Sequence, residues 1–474
     1  MKNNFIVLPR CLSRHLLSLI ALTLAIFLSW KSEAASKPIK VFILSGQSNM
    51  VGAGKVDGGS SRWGAQFLDP VVSVYEGNYN PAAKYDSKEP IKTLELESFG
   101  GTEPTPYPGG GVQVTRGFIQ VKESGIYEFR PGYGGSMDNI MEVDGKVVHR
   151  KEPGQEPVRH EVKLAGGKKV AFKITYLTKD ANGLGWIVRM DVPGTLSTLV
   201  KHKGMYSYLM NDRHQWVERD DVWYRGVIAA TGSRWLGVKG GRIGPELGFG
   251  HVVGNYHGEP VLILKTSQGN RSLSWDFLPP GSKRFEHGGK VYAGYKESPL
   301  SWEKGTDPKP INWYAGKQYD DCFGAAQEVL ENFDKEFPQW KGRGYKIAGF
   351  AWWQGDKDRY NEGHAVQYEK NLVHLIKTLR REFKAPGANF VVATLGQTPK
   401  DAPPGNEKRI LDAQLAVDGA SGRYPEFNGN VATVYTHPLS QGGASNSHYD
   451  GNAQTYMDVG SAMGEAMVEL LKNE

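Results

Sequence analysis

The chain has 474 residues, 39% of them hydrophobic, with 59 glycines, 26 prolines and a formal charge of +6. That length points to about two or three domains, and the glycine and proline content favours a loop-rich α/β plus β architecture over a helical one. Basic and acidic residues are interspersed with no long Lys/Arg run, so the composition offers no electrostatic footprint for a nucleic acid.

Residues 1–34 read as a signal peptide: Lys2, Arg10 and Arg14 form a basic start, residues 16–30 are apolar, and Ser32-Glu33-Ala34 supplies a small-x-small cleavage site. An apolar stretch of about fifteen residues falls short of the ~20 that a spanning helix needs. No later segment is long and apolar enough to span, so the expected location is secreted or periplasmic. Cys11 lies within this segment, which leaves Cys322 alone after cleavage and allows no internal disulfide.

Residues 40–50, KVFILSGQSNM, run from an apolar strand into a tight Gly-Gln-Ser-Asn turn. The unbroken run Val41-Phe42-Ile43-Leu44 is that of a strand covered on both faces. Gly46 permits a sharp turn, and a helix starting near Asn49 would aim free N–H groups at Ser48. A serine needs a base within reach and donors aimed at the developing oxyanion, and this turn suits a nucleophile. Ser at a strand-to-helix junction is equally suited to plain capping.

Between residues 70 and 196 the pattern changes to short strands, among them Phe118-Ile119-Gln120-Val121, Gly125-Ile126-Tyr127-Glu128-Phe129, residues 140–143 and residues 169–176. Close turns of the Glu-Ser-Gly, Asp-Gly and Gly-Gly kind separate them, the signature of an antiparallel sandwich. Strand patterns at residues 261–265, 346–353, 389–394 and 431–436 then alternate with helical faces. Tyr368, Leu372, Leu375, Ile376, Leu379 and Phe383 keep a helical period, as do Met463, Met467, Leu470 and Leu471. Such alternation predicts a parallel sheet with right-handed crossovers, whose loops at the strand carboxyl ends meet in one crevice. Two of those loops carry chemistry: Gln354-Gly355-Asp356-Lys357-Asp358-Arg359 and Ser447-His448-Tyr449-Asp450.

Five ordered blocks, GQSNM, IGPELGFG (243–250), ILKTSQGNRSL (263–273), WWQGDKD (352–358) and SHYDGNAQTY (447–456), together resemble the SGNH-type hydrolases of the carbohydrate acetylesterase group that includes the sialic-acid-specific acetylesterases. The resemblance implies a three-layer α/β/α fold with a flavodoxin-like parallel sheet, built from residues 35–69 and 197–474 and interrupted by the sandwich at 70–196. It implies Ser48 as nucleophile, His448 as general base, and the Ser48 and Gly244 N–H groups with the Gln354 amide as oxyanion donors. Members of the group orient the histidine with an acid three residues before it or within the Gln-Gly-Glu block. The first position here is Ser445, so Asp356 is the expected acid, one methylene shorter than the usual Glu, with Asp358 and Asp450 as rivals.

Several of these residues have simpler readings. Asp356 and Asp358 beside Lys357 and Arg359 could be a solvated charge cluster. Gly244-Pro245 could be an ordinary helix start. Trp352 and Trp353 could be core and pocket wall, although an aromatic face also suits a sugar ring. Trp353, Asn270 and Arg271 are the candidate substrate contacts. The sandwich segment resembles the protective-antigen-type β-sandwich, and its Asp138-Asn139 stands where that fold can bind calcium and sugar, or serves as a turn. No Cys/His cluster or HExxH helix calls for a metal or other cofactor. The expected activity is removal of O-acetyl groups from an acetylated polysaccharide or oligosaccharide. Its competitors are an SGNH esterase acting on small aryl or lipid esters and a non-catalytic glycan-binding protein on a hydrolase scaffold.

Overall fold

A computed structural model describes residues 37–61, 65–80, 82–97, 111–131, 138–177 and 186–473; the expected signal peptide lies outside the described residues. β1 (Ile39–Gly46) is buried almost throughout, as its unbroken apolar run requires. It is the centre of a sheet completed by β2 (Glu218–Ile228), β3 (Ser233–Gly237), β4 (Val261–Ser267), β5 (Tyr345–Trp353), β6 (Asn389–Ala393) and β7 (Val431–Val434). The spatial order is β3-β2-β4-β1-β5-β6-β7, and neighbours are parallel except at the β2–β3 edge. The stretch β4-β1-β5-β6-β7 is a flavodoxin-like order; β2 and the antiparallel β3 widen it on one side.

Helices cover both faces. α1 (Ser48–Val51) is a single turn, followed by α2 (Glu246–Tyr256), α3 (Lys317–Glu331), α4 (Glu362–Glu382), α5 (Asn406–Ala416) and α6 (Ala453–Leu471). On one face Val41, Ile43, Leu262 and Leu264 pack with Phe323 of α3, Leu372 and Ile376 of α4, and Ile410 of α5. On the other, Phe42, Leu44 and Ile263 meet Phe249 of α2 and Met457, Met463 and Met467 of α6. The alternation of in-pointing side chains along β1 therefore feeds two cores, giving the three layers α/β/α. Asn361 and Asn452 accept from the N–H groups of His364 and Gln454, and so fix the starts of α4 and α6.

The chain leaves β1 toward β2 and β4 on one side, and α3 then carries it to β5 on the other. Strand order reverses there, which is where open α/β sheets hold their ligands. The register places Ser267, Gly46 and Trp353 level with one another at the carboxyl ends of β4, β1 and β5.

Two antiparallel sheets occupy the segment between β1 and β2. The larger contains strands Gln66–Tyr75, Lys92–Glu95, Val112–Gln120, Asn139–Val143, Lys146–Lys151, Val158–Arg159 and Lys169–Leu177, and the smaller Ser60–Ser61, Gly125–Arg130, Val162–Leu164 and Trp186–Arg189. Both contribute to one core of Phe67, Ile119, Tyr127, Phe129, Met141, Phe172, Ile174 and Ile187. The boundary expected between residues 69 and 70 falls inside the strand Gln66–Tyr75. A register shift between Leu68 and Val71, with Asp69 at φ 51°, interrupts its alternation and disguises one strand as an end. Asp138 is paired with Lys151 at 2.7 Å, and Asn139 is fully buried with Oδ1 3.1 Å from His149 Nδ1. Both candidate ligand groups of the sandwich thus already have protein partners.

Candidate active site

Ser48 leaves the sheet at a fixed point. Gly46 has φ +148°, and a Cβ there would run into the Trp353 carbonyl, so the turn accepts no side chain. The ladder extends on both sides of the turn: Gln47 N donates to Trp353 O at 3.2 Å and Gln268 N to Gly46 O at 3.2 Å. The one turn of α1 is closed by Val51 N donating to Gln47 O and Gly52 N to Ser48 O. The first-turn N–H groups of a helix have no intrahelical acceptor, so those at Ser48 are left to point outward. Across from it, a methyl group at Gly269, in the loop after β4, would lie 3.5 Å from Ser48 Cβ.

The loop after β5 is locked to this turn. Gln47, 2% exposed, accepts at Oε1 from the N–H groups of Gly355 and Lys357. Asp358 is fully buried; its Oδ2 accepts from Leu273 N at 2.8 Å and Gln354 Nε2 at 2.6 Å, and its Oδ1 from Ser274 N at 2.9 Å. Burial pushes the Asp358 carboxyl above its usual range, and the bonds from Gln354, Leu273 and Ser274 pull it back. Gln354 donates a second time to Arg271 O at 2.9 Å, while Tyr368 Oη donates to its Oε1 at 3.0 Å.

These contacts correct three expectations. Gln354 is not arranged as an oxyanion donor, because its side chain is fully buried and both N–H groups are committed. Asp358 does not serve as the acid for the histidine, since both its oxygens hold the loops together. Trp353 is no sugar platform: it is fully buried, stacks on Tyr449 at 5.8 Å and donates from Nε1 to Thr394 O.

Asp356 points the other way. Its Oδ1 accepts from Ser445 Oγ at 2.6 Å and from Arg359 Nε at 2.8 Å. Ser445 is fully buried and stands three residues before His448, so the carboxylate from the β5 loop reaches the turn on which the histidine sits. That turn is unusual. His448, Tyr449 and Asp450 have φ values of 55°, 52° and 53°, three successive left-handed residues with no glycine among them. Each costs roughly 1–2 kcal/mol, so surrounding contacts must hold the turn. Tyr449 is buried against Trp353 and accepts from Gly396 N at 3.1 Å; Tyr456 Oη donates to His448 O at 3.3 Å; Asn49 Nδ2 donates to Ser445 O at 3.4 Å. The last contact joins α1 to the histidine turn. Among the described residues no hydrogen bond links the Ser48 hydroxyl to the His448 ring, or that ring to Asp356. Catalytic hydrogen bonds are commonly loose until substrate is bound. Asp450 is exposed, and a second histidine near the end of β7, His437, has Nδ1 2.7 Å from the Gly396 carbonyl.

Gly244 does not fit the role expected of it. It does not follow a parallel strand of the main sheet, and its buried N–H donates to Glu246 Oε1 at 3.2 Å. The glycine that follows the strand neighbouring β1 is Gly269, and it is this residue whose backbone approaches Ser48.

Residues 197–469 match the sequence profile of a carbohydrate esterase family described as sialic acid-specific acetylesterase. The chain belongs to that family. It is therefore a carbohydrate esterase, and its α/β/α sheet is the hydrolase scaffold of the group. Among solved structures, similar ones include a protein from Arabidopsis thaliana (15% identity, 55% of this chain and 88% of that one, TM-score 0.32) and a carbohydrate acetylesterase from Xanthomonas citri (13%, 77% and 72%, TM-score 0.36). Another is NanS, at 12% identity over 92% of this chain and 99% of that one, with a TM-score of 0.31. No curated protein sequence matches the chain. Among the described residues no helix of the esterase is long and apolar enough to cross a membrane.

The rim beside Ser48 is polar and aromatic. Asn270 is exposed in a left-handed conformation, φ 56°, which asparagine tolerates well. Arg271 stacks on Trp313 at 4.7 Å and donates from Nε to Gln318 Oε1 at 3.0 Å. The sequence assigns Trp313, Gln47 and Gly269 no part in the site, and it shows Ser445 only as the place of a missing acid. Position alone could have flagged Gly269, since it follows an apolar strand directly, as Ser48 does. Gln47 and Ser445 act by hydrogen bonds to loops 308 and 89 residues away, which no local pattern carries.

Proposed function

We propose that the esterase is exported and removes O-acetyl groups from a carbohydrate through an acyl-enzyme on Ser48. In this mechanism His448 takes the Ser48 proton as the hydroxyl attacks the acetyl carbonyl, and returns it to the departing sugar hydroxyl. The oxyanion is assigned to the main-chain N–H groups of Ser48 and Gly269, which stand on neighbouring loops leaving two adjacent strand ends. Water activated by His448 then releases acetate and restores the serine. Asp356 supports the imidazolium that forms: with Oδ1 occupied by Ser445 and Arg359, its Oδ2 is left for the histidine turn. Asn270 and the Arg271–Trp313 stack are the proposed contacts for the sugar.

The observation that carries this reading is the convergence of Ser48, Gly269 and the Asp356–Ser445 pair at strand ends level with one another. Its test is acetate release from a panel of acetylated glycans together with a chromogenic acetate ester. Ser48→Ala and His448→Ala are each expected to lower turnover by several orders of magnitude with the fold intact, since triad members act as a unit. Wild-type rates in either folded variant would remove the mechanism. Turnover of aryl or lipid esters alone, with no acetylated glycan accepted, would overturn the carbohydrate substrate.

A further inference from the structure

Directly beneath the nucleophile turn lies a charged pair that the mechanism above does not use. Lys265 is the one ionisable residue of β4, whose other residues are apolar or hydroxylic, and it is 1% exposed. Its Nζ donates to Glu246 Oε2 at 2.6 Å and to the main-chain oxygen of Val51, the last residue of α1, at 2.7 Å. Glu246 comes from the first turn of α2, and its other oxygen accepts from Gly244 N at 3.2 Å. Gly244 in turn packs against Gly52, where a Cβ would sit 2.5 Å from the Gly244 Cα. The Tyr224 ring lies 5.8 Å from the ammonium.

We infer that Glu246 and Lys265 form a positioning pair that sets the height and tilt of α1, and through it the Ser48 hydroxyl and N–H, for acylation. The inference rests on Ser48 being the nucleophile. A helix of one turn cannot satisfy its own carbonyls, and a terminal carbonyl buried among apolar side chains needs a donor. Lys265 supplies that donor from the middle of a strand whose backbone is fixed by the sheet. Glu246 holds the ammonium and also ties down the Gly244 segment on which Gly52 rests. The nucleophile turn is thus clamped at both ends: Gln47 fixes its start to the β5 loop, and Lys265 fixes its finish to β4. Pure stability would not require charge here, because a buried ion pair can often be exchanged for apolar residues without loss. Leu44, opposite Lys265 in β1, and Ile263, two residues before it in β4, are buried and apolar, while Tyr224, Arg234 and Arg242 line the recess on the Glu246 side. What the apolar exchange cannot reproduce is a donor to the Val51 carbonyl.

The double variant Lys265→Met/Glu246→Gln removes both charges together and so avoids leaving one of them buried alone. It is expected to remain folded by calorimetry, to keep KM for a chromogenic acetate within a few-fold, and to lose about 10²-fold in kcat, the scale of an ångström of misplacement at a reacting group. Inactivation by a serine-directed phosphonate, which reads Ser48 reactivity without sugar binding, should slow in parallel. A second variant, Glu246→Asp, keeps both charges and withdraws the carboxylate by one methylene; it should lie between wild type and the double variant in kcat. A folded variant of either kind with wild-type kcat and inactivation rate would overturn the pair's role, as would a loss confined to melting temperature. Failure of the nucleophile itself would look different, because the phosphonate would then leave Ser48 unlabelled in the wild-type esterase.

Discussion

The loop after β5 and the turn bearing His448 meet at Asp356 and Ser445, yet they are built on opposite principles. The polar side chains of Gln354 and Asp358 in the β5 loop are tied to main-chain groups of Arg271, Leu273 and Ser274, so the loop behaves as an extension of the sheet. The histidine turn instead holds three left-handed residues by the buried Tyr449 and by donors from Tyr456 and Asn49 on other elements, and its imidazole makes no hydrogen bond among the described residues. One side of the site is thus a rigid reference and the other stores backbone strain. Strain of that kind gathers at functional sites. Two aspartates only two residues apart fall on either side of this division, Asp358 within the rigid network and Asp356 at the junction with the turn.

Substituting the two acids separates the roles most widely. Asp356→Asn keeps the Ser445 and Arg359 neighbours within reach and is expected to melt within a few degrees of wild type. It should lower kcat by about 10³-fold, between the costs usual for losing one preorganised donor and for neutralising the acid of a triad. Asp358→Ala strands the N–H groups of Leu273 and Ser274 and a Gln354 proton in a buried place. At about 1–3 kcal/mol for each stranded group, it should lose several kcal/mol of stability, read as a fall in the denaturant midpoint. Any loss of its activity should track the unfolded fraction. If Asp358→Ala stays as stable as wild type and Asp356→Asn stays active, the division drawn here is wrong.

This division also explains what was legible in the sequence. Long-period features came through: unbroken apolar runs gave β1, β4 and β5, helical spacing gave α4 and α6, and the ordered blocks identified the hydrolase core. Which atoms meet did not come through. Gln354 and Asp358 sit in the block where catalytic groups were expected, but a motif gives residue types at a spacing and cannot tell a donor aimed at substrate from one spent on Arg271 O. Gly244 misled for a related reason, since Gly-Pro before a helix carries no mark of whether a strand of the main sheet precedes it. In the sandwich, the bulge at Asp69 and Pro70 hid half a strand because alternation is lost wherever an extra residue is inserted.

The approach of Gly269 to Ser48 offers a smaller and more local test. A methyl group there makes an ordinary contact at 3.5 Å, so Gly269→Ala is expected to stay within a few-fold of wild type. Gly269→Val projects further into the space over the serine, and it should cost about 10²-fold in kcat, the scale of a small displacement at the reacting centre. Equal rates for glycine, alanine and valine would mean that this backbone does not border the reacting carbonyl. The oxyanion would then have to be held elsewhere.

The smallest effect on ester hydrolysis is expected from removing the sandwich altogether. Its chain enters and leaves side by side: Gly58 N donates to Arg189 O at 3.0 Å, and Ser60–Ser61 pairs with Ile187 and Val188. An insertion whose ends meet in this way can be replaced by a short linker without stretching the flanking backbone. Its core also draws on its own two sheets, while β1 to β7 fill theirs without it. We propose that it is a separate folding unit which affects the choice of polymer by raising effective concentration on an acetylated glycan, a gain that a small soluble ester cannot show. Replacing residues 59–189 with a Gly-Ser linker should therefore leave chromogenic acetate hydrolysis within a few-fold of wild type and reduce acetate release from polymer by about 10-fold or more, a modest share of what tethering can contribute. The cross-domain pair Lys201–Glu161, at 2.7 Å, is half-buried, and removing the sandwich takes Glu161 away while opening Lys201 to water, so no charge is left buried alone. Equal loss on both substrates, in a variant shown to be folded, would mean that the sandwich completes the active site and that the rigid and strained halves compared above are not its whole construction.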